Sequence, residues 1–129
     1  MAGADQSCAL KADGTIACWG GNSVGEATPP TGTFSSISGS DFRGCGLKMD
    51  GTVACWGSPY GNELPPPSGT FASLAAAGGT ACALRMDGTV SCWGYYQPWS
   101  VILPSGTFSS VSTGNGHACG VKTDGTVAC

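Results

Sequence analysis

The chain has 129 residues, the length of one domain, and only 10% of them are charged while 22 are glycine. So few charges and so many glycines argue against a helical or disordered chain and suit a turn-rich all-β protein. Five basic residues against eight acidic ones leave no basic stripe for nucleic acid, and no apolar run approaches the ~18 residues of a membrane-crossing helix.

In chain order, Met1 to Ser7 shows neither the basic n-region nor the apolar h-region of a signal peptide. The next segment, Cys8-Ala-Leu-Lys-Ala-Asp-Gly-Thr-Ile-Ala-Cys18, reads as a β-hairpin. Asp13-Gly14 is its turn signal, because Gly accepts φ > 0 without steric cost. With Ala12-Asp13-Gly14 as a three-residue loop, Lys11 pairs with Thr15, Leu10 with Ile16 and Cys8 with Cys18. A two-residue loop would leave the cysteines out of register. Trp19-Gly20 follows, then a loop carrying Asn22 and Glu26, a proline pair, and Gly32-Thr-Phe-Ser-Ser-Ile37, which reads as another strand.

The same order then returns. Cysteines stand at 8, 45, 82 and 119 and at 18, 55, 92 and 129, each series advancing by 37 residues. A fixed period of this size marks a propeller or solenoid. The chain is read as one repeat domain, 1–129, with units 1–37, 38–74, 75–111 and a partial 112–129.

Alternation outward from the turn makes Cys8 and Cys18 a non-hydrogen-bonded pair with Cα atoms ~4.5 Å apart, at the short end of what a disulfide tolerates. The register therefore predicts Cys8–Cys18, Cys45–Cys55, Cys82–Cys92 and Cys119–Cys129, each contributing roughly 2.5–3 kcal/mol in the chain-entropy view. Free thiols and metal binding are the rival readings. There is no Cys-x-x-Cys, and His117 is the single histidine, so zinc-type spacing is absent and no metal or cofactor is expected. Disulfides imply an oxidising compartment, hence a secreted or cell-surface protein.

Cys8, Leu10, Ile16 and Cys18 share one face of the hairpin; Ala9, Ala17 and Trp19 share the other. Both faces are apolar, so each sheet is expected to be covered on both sides, as propeller blades are. Each blade is expected to hold the Phe-Ser-Ser-Ile strand, the two hairpin strands and a short fourth strand before the proline segment. On this count the first unit lacks its innermost strand and the last stops before its outer one. That expectation leads to self-association, as a dimeric ring or a filament.

The pattern Cys-Ala-Leu-Lys-x-Asp-Gly-Thr-Ile-Ala-Cys-Trp-Gly-x-Asn-x-x-Gly, residues 8–25, resembles repeats of the regulator of chromosome condensation family. The paired cysteines and Pro-Pro-x-Gly-Thr-Phe, here Pro29 to Phe34, are most similar to its bacterial secreted branch. The resemblance covers essentially the whole chain and implies a propeller of about seven four-stranded blades. Members of that family serve as scaffolds: a nucleotide-exchange factor for a small GTPase that binds nucleosomes, and a secreted β-lactamase inhibitor. No activity carries over by motif, since the matching residues are the skeleton of the fold. Where the family often has histidine two residues before the first cysteine, this chain has Gln6, Arg43, Thr80 and His117 in turn. The third unit replaces the Asn-x-x-Gly loop with Tyr95-Tyr96-Gln97-Pro98-Trp99-Ser100-Val101-Ile102-Leu103.

Each Asp-Gly turn carries one carboxylate, too few ligands for calcium. Trp19, Trp56 and Trp93 recur in register and read as blade packing. His117 has no nucleophile beside it in its own unit, and no serine sits in a nucleophile elbow, so an enzyme is not expected. Residues that break the repeat are the better binding candidates: Arg43 with Asp41 and Phe42, Tyr60 with Asn62 and Glu63, Tyr95, Tyr96, Trp99 and His117. Asn22 and Glu26 occupy the corresponding loop of the first unit. The expected function is a non-enzymatic extracellular binding or assembly module presenting variable loops to a protein partner. A polymerising structural subunit and a lectin-like propeller, with Trp99 or Tyr95 stacked on a sugar, are the alternatives. Alkylation without reductant should label no cysteine, and peptide mapping should join Cys45 to Cys55 and its equivalents; labelling of all eight would contradict the oxidising-compartment reading.

Overall fold

A computed structural model describes residues 1–2, 5–40, 42–57, 66–94 and 105–129. The local geometry starts at the turns. Lys11 N donates to Thr15 O at 2.8 Å and Gly14 N to Lys11 O at 2.9 Å, which closes the three-residue loop with Gly14 at φ 85°. Asp13 Oδ1 accepts from Thr15 Oγ1 at 2.6 Å and from Thr15 N at 2.9 Å. Asp50, Asp87 and Asp124 repeat both bonds. The threonine hydroxyl, and then its amide, hold all four carboxyls below their ordinary range. The turns therefore add stability above the ordinary aspartate pKa and lose it as pH falls through the lowered value.

Around these turns the chain forms β1 (Gln6–Leu10) and β2 (Ile16–Gly20), then β3 (Phe34–Ser40), β4 (Arg43–Lys48) and β5 (Val53–Gly57). There follow β6 (Ser73–Ala77), β7 (Thr80–Leu84) and β8 (Val90–Gly94), and finally β9 (Phe108–Gly114), β10 (His117–Lys122) and β11 (Val127–Ala128). Among the described residues they make four antiparallel sheets with strands in chain order within each. The register sets Cys8 opposite Cys18, Cys45 opposite Cys55 and Cys82 opposite Cys92. All four hairpin disulfides are formed, with Cα atoms 4.0–4.1 Å apart.

Two strand expectations need correction. The first unit does have the end of an inner strand: Cys8 N donates to Met1 O at 3.0 Å, the Met1 amino group donates to Cys8 O at 2.9 Å, and Ala2 bridges Ser7. Met1 thus stands where Ser38, Ala75 and Ser112 stand opposite their cysteines. The short fourth strand does not form in the first unit, where residues 21–33 run as bends and turns. Its proline pair supplies no amide hydrogens for a ladder.

The sheets stack face on face, and a core of Cys45, Leu47, Phe71, Ala76, Ala81, Ala83 and Trp93 fills the space between the second and third. Within each of two sheets a phenylalanine ring lies over a glycine of the neighbouring strand. A Cβ on Gly46 would lie 2.5 Å from the Phe34 ring, and one on Gly120 equally close to Phe108. Backbone bonds stitch neighbouring units together at the Gly-Thr-Phe segment. Phe34 N donates to Gly14 O of the preceding turn at 2.7 Å, while Thr33 O accepts from Met49 N of the following turn at 3.1 Å. Phe71 and Phe108 bond Gly51 and Gly88 in the same way at 2.8 Å.

Gly51 combines both demands, with φ 87° and Thr70 Cβ 3.0 Å from where its own Cβ would lie. Gly51→Val should destabilise the fold by at least about 1–2 kcal/mol, the cost of a left-handed backbone for a branched residue. A thermal melt unchanged from the wild type would contradict this account of the turn.

Candidate binding surface

The loop between the first and second sheets is built by its own side chains. Asn22 Oδ1 accepts from Ala27 N at 3.0 Å, and the Glu26 carboxylate accepts from Ser23 N at 3.1 Å and Val24 N at 2.7 Å. Glu26 is buried. Burial pushes its pKa up, but hydrogen bonds from its own amide and those of Val24 and Ser23 outweigh this and hold the carboxyl below its ordinary range. So folded, the loop presents Glu26 O to Trp56 Nε1 at 3.0 Å, one period onward. The Trp56 ring in turn lies on Gly44, whose Cβ would fall 2.2 Å from Cε2. Glu26 and Asn22 are committed to the loop's own hydrogen bonds, an arrangement without a local sequence signal because Trp56 lies in the next unit.

Arg43, a binding candidate because it breaks the repeat, is buried between sheets. Its Nη1 donates to Gly79 O at 3.4 Å, and Nη2 lies 3.9 Å from Cys55 Sγ. Gln6, one unit earlier, is buried too and donates from Nε2 to Ser40 O at 3.1 Å. Thr80, one unit later, is likewise buried. At this position Gln6 and Arg43 each reach the backbone of the next sheet.

His117, the fourth residue of that series, is exposed, with its ring lying across Gly114. Phe42 is exposed as well. Tyr60, Tyr95, Tyr96 and Trp99, with Asp41, Asn62 and Glu63, lie outside the described residues. Among the described residues, Met49 and Met86 are exposed at the tips of successive turns, flanked by Lys48 and Asp50 and by Arg85 and Asp87. Charges of both signs alternate there, so the turn edge presents no single-sign field.

Four stacked sheets of this connectivity are blades of a β-propeller. Residues 2–26 match the family model of the Regulator of chromosome condensation (RCC1) repeat, and the 37-residue period carries that unit's core through the rest of the chain. No curated protein matches the sequence. Among solved structures, the chain is similar to the CRINKLY WD40 ectodomain of the Arabidopsis thaliana receptor kinase ACR4, at 25% identity and TM-score 0.70, over 94% of this chain and 45% of that one. It is similar to the ectodomain of the Physcomitrella patens receptor kinase CR4 at 26% identity and TM-score 0.72, over 92% and 37%. Prp20p of Saccharomyces cerevisiae shares the fold at 16% identity and TM-score 0.76, over 97% and 43%. The chain spans less than half the length of each of these structures.

The Trp56–Glu26 bond separates two tryptophans of identical register. Trp56→Phe should destabilise the chain by about 1 kcal/mol or more, since it leaves a buried carbonyl unpaired. Trp19→Phe, at an exposed ring, should cost within about 0.5 kcal/mol. Equal losses in denaturant titrations would contradict the assignment.

Proposed function

We propose that this chain is a non-enzymatic, extracellular binding module whose variable loops between repeated strands take a protein partner. The observation that carries the reading is how completely the repeat consumes its own chemistry. Turn aspartates, cysteines, Trp56, Glu26 and Arg43 are all committed to turns, bridges and intersheet contacts. Ligand recognition is left to departures from the repeat, and the longest departure is the aromatic segment from Tyr95 to Leu103.

The extracellular setting is supported by a disulfide on every hairpin and by the likeness to two receptor-kinase ectodomains. It also agrees with the bacterial secreted branch that the paired cysteines resemble. Aromatic side chains supply large contact area at low entropic cost, which suits Tyr95, Tyr96 and Trp99 to the centre of an interface.

The test is binding of the intact, oxidised chain to extracellular protein and glycan arrays. Trp99→Ala should weaken binding to a protein partner about tenfold or more while the melting temperature holds. Loss of folding in this variant would make the aromatic segment a packing element instead, and binding confined to glycans would favour the lectin reading.

A further inference from the structure

The four disulfides share one register, but the residue two places before the first cysteine of each pair does not repeat: it is Gln6, Arg43, Thr80 and His117 in turn. Residues two apart on a strand share a face, so this side chain stands beside the bridge. In the second sheet it is a guanidinium, and Arg43 Nη2 lies 3.9 Å from Cys55 Sγ. Cys45 is wholly buried there and Cys55 half-buried. The third sheet is the matched comparison. Cys82 is wholly buried and Cys92 half-buried in the same way, but Thr80 brings a hydroxyl and no charge. The cation of that sheet, Arg85, is bonded to Ser91 and stacked on Phe71, and Ser91 points to the opposite face of its strand from Cys92. Both of these sheets are packed between two others, so neither bridge takes its surroundings from an end of the chain.

We propose that Cys45–Cys55 is a thiol–disulfide exchange site for small thiols, set apart from the matching bridge Cys82–Cys92 by the Arg43 guanidinium at Cys55 Sγ. A thiolate attacks the more accessible sulfur, Cys55 Sγ. The bond to Cys45 breaks, its electron pair leaves on Cys45 Sγ, which takes a proton from water, and a mixed disulfide remains on Cys55. A second thiolate then attacks the sulfur of the bound thiol. That step releases the external disulfide and leaves Cys55 as a thiolate, so two thiols are oxidised and one bridge is reduced. The guanidinium favours both steps: it draws the anionic nucleophile to the sulfur attacked, and it holds the Cys55 thiolate. A cation gains far more from a thiolate than from a neutral disulfide sulfur, so the opened form is the one it stabilises. The hairpin so opened also carries Trp56 and Arg43, whose bonds to Glu26 O and Gly79 O join the second sheet to its neighbours. The inference is independent of which ligand the loops bind.

Timed exposure of the oxidised 129-residue chain to reduced glutathione, stopped by acid and followed by alkylation and peptide mapping, reads each bridge separately. Cys45–Cys55 should open at least about tenfold faster than Cys82–Cys92, with the glutathione adduct on Cys55 and not on Cys45. Arg43→Gln installs the amide that the first unit carries at Gln6 and should slow the opening of Cys45–Cys55 to within about twofold of Cys82–Cys92. Loss of packing alone would speed that opening, so the direction of the change separates the charge from a merely structural role. Should the variant not fold, the ranking of the two bridges and the position of the adduct in the wild-type chain decide. Equal opening of the two bridges, an adduct on Cys45, or a folded Arg43→Gln chain whose Cys45–Cys55 opens as fast as before would each overturn the proposal.

Discussion

A sheet of two or three strands, each five to seven residues long for the most part, with apolar side chains on both faces, cannot stand alone in water. Every other feature of this chain answers that constraint. Within a sheet the Trp56, Phe34 and Phe108 rings lie over Gly44, Gly46 and Gly120, and between sheets Cys45 and Leu47 share a buried core with Ala76, Ala81 and Ala83. The stack is held by contacts between units, and each unit is a partial structure that its neighbours complete.

The disulfides act on a different level. Each closes ten residues within one hairpin, so it restricts the unfolded hairpin and fixes strand register without joining one sheet to another. Adhesion between sheets comes from Ser38 and Arg43 reaching the neighbouring backbone, from Trp56 bonding Glu26, and from the Gly-Thr-Phe segment held between successive turns. Covalent clips within units and packing between them divide the work. Reduction is thus expected to loosen hairpins individually before it separates the stack.

This division explains what could be read from the residues alone. Turn length, cysteine register and the two apolar faces are local consequences of Asp13-Gly14 and its copies, and period 37 multiplied them. The fates of Arg43 and Glu26 were not legible, because burial there is decided by a neighbouring unit 36 or 30 residues away. Arg43 stood out only as a break in the repeat and Glu26 only by its place in a loop. A guanidinium spanning two sheets and a carboxylate wrapped by its own loop's amides are solved by geometry that no single unit contains. The inner strand at Met1–Ala2 has no sequence signal for a related reason: a methionine at a serine or alanine position lacks the repeat signature, yet its backbone bonds to Cys8 as Ser38, Ala75 and Ser112 pair with their cysteines.

The intersheet position shared by Gln6, Arg43, Thr80 and His117 shows how such a repeat can diversify without losing its fold. The skeleton asks only that this side chain reach the next backbone, and amide and guanidinium both do so through N–H donors. Identity there is free while direction is fixed. The imidazole of His117 stands at the same register position and is exposed. Because the direction is set by strand register and the register by a three-residue turn, a change in turn length would move this side chain to the other face of its sheet. The direction of this side chain therefore rests on the same Asp-Gly geometry that pairs the cysteines.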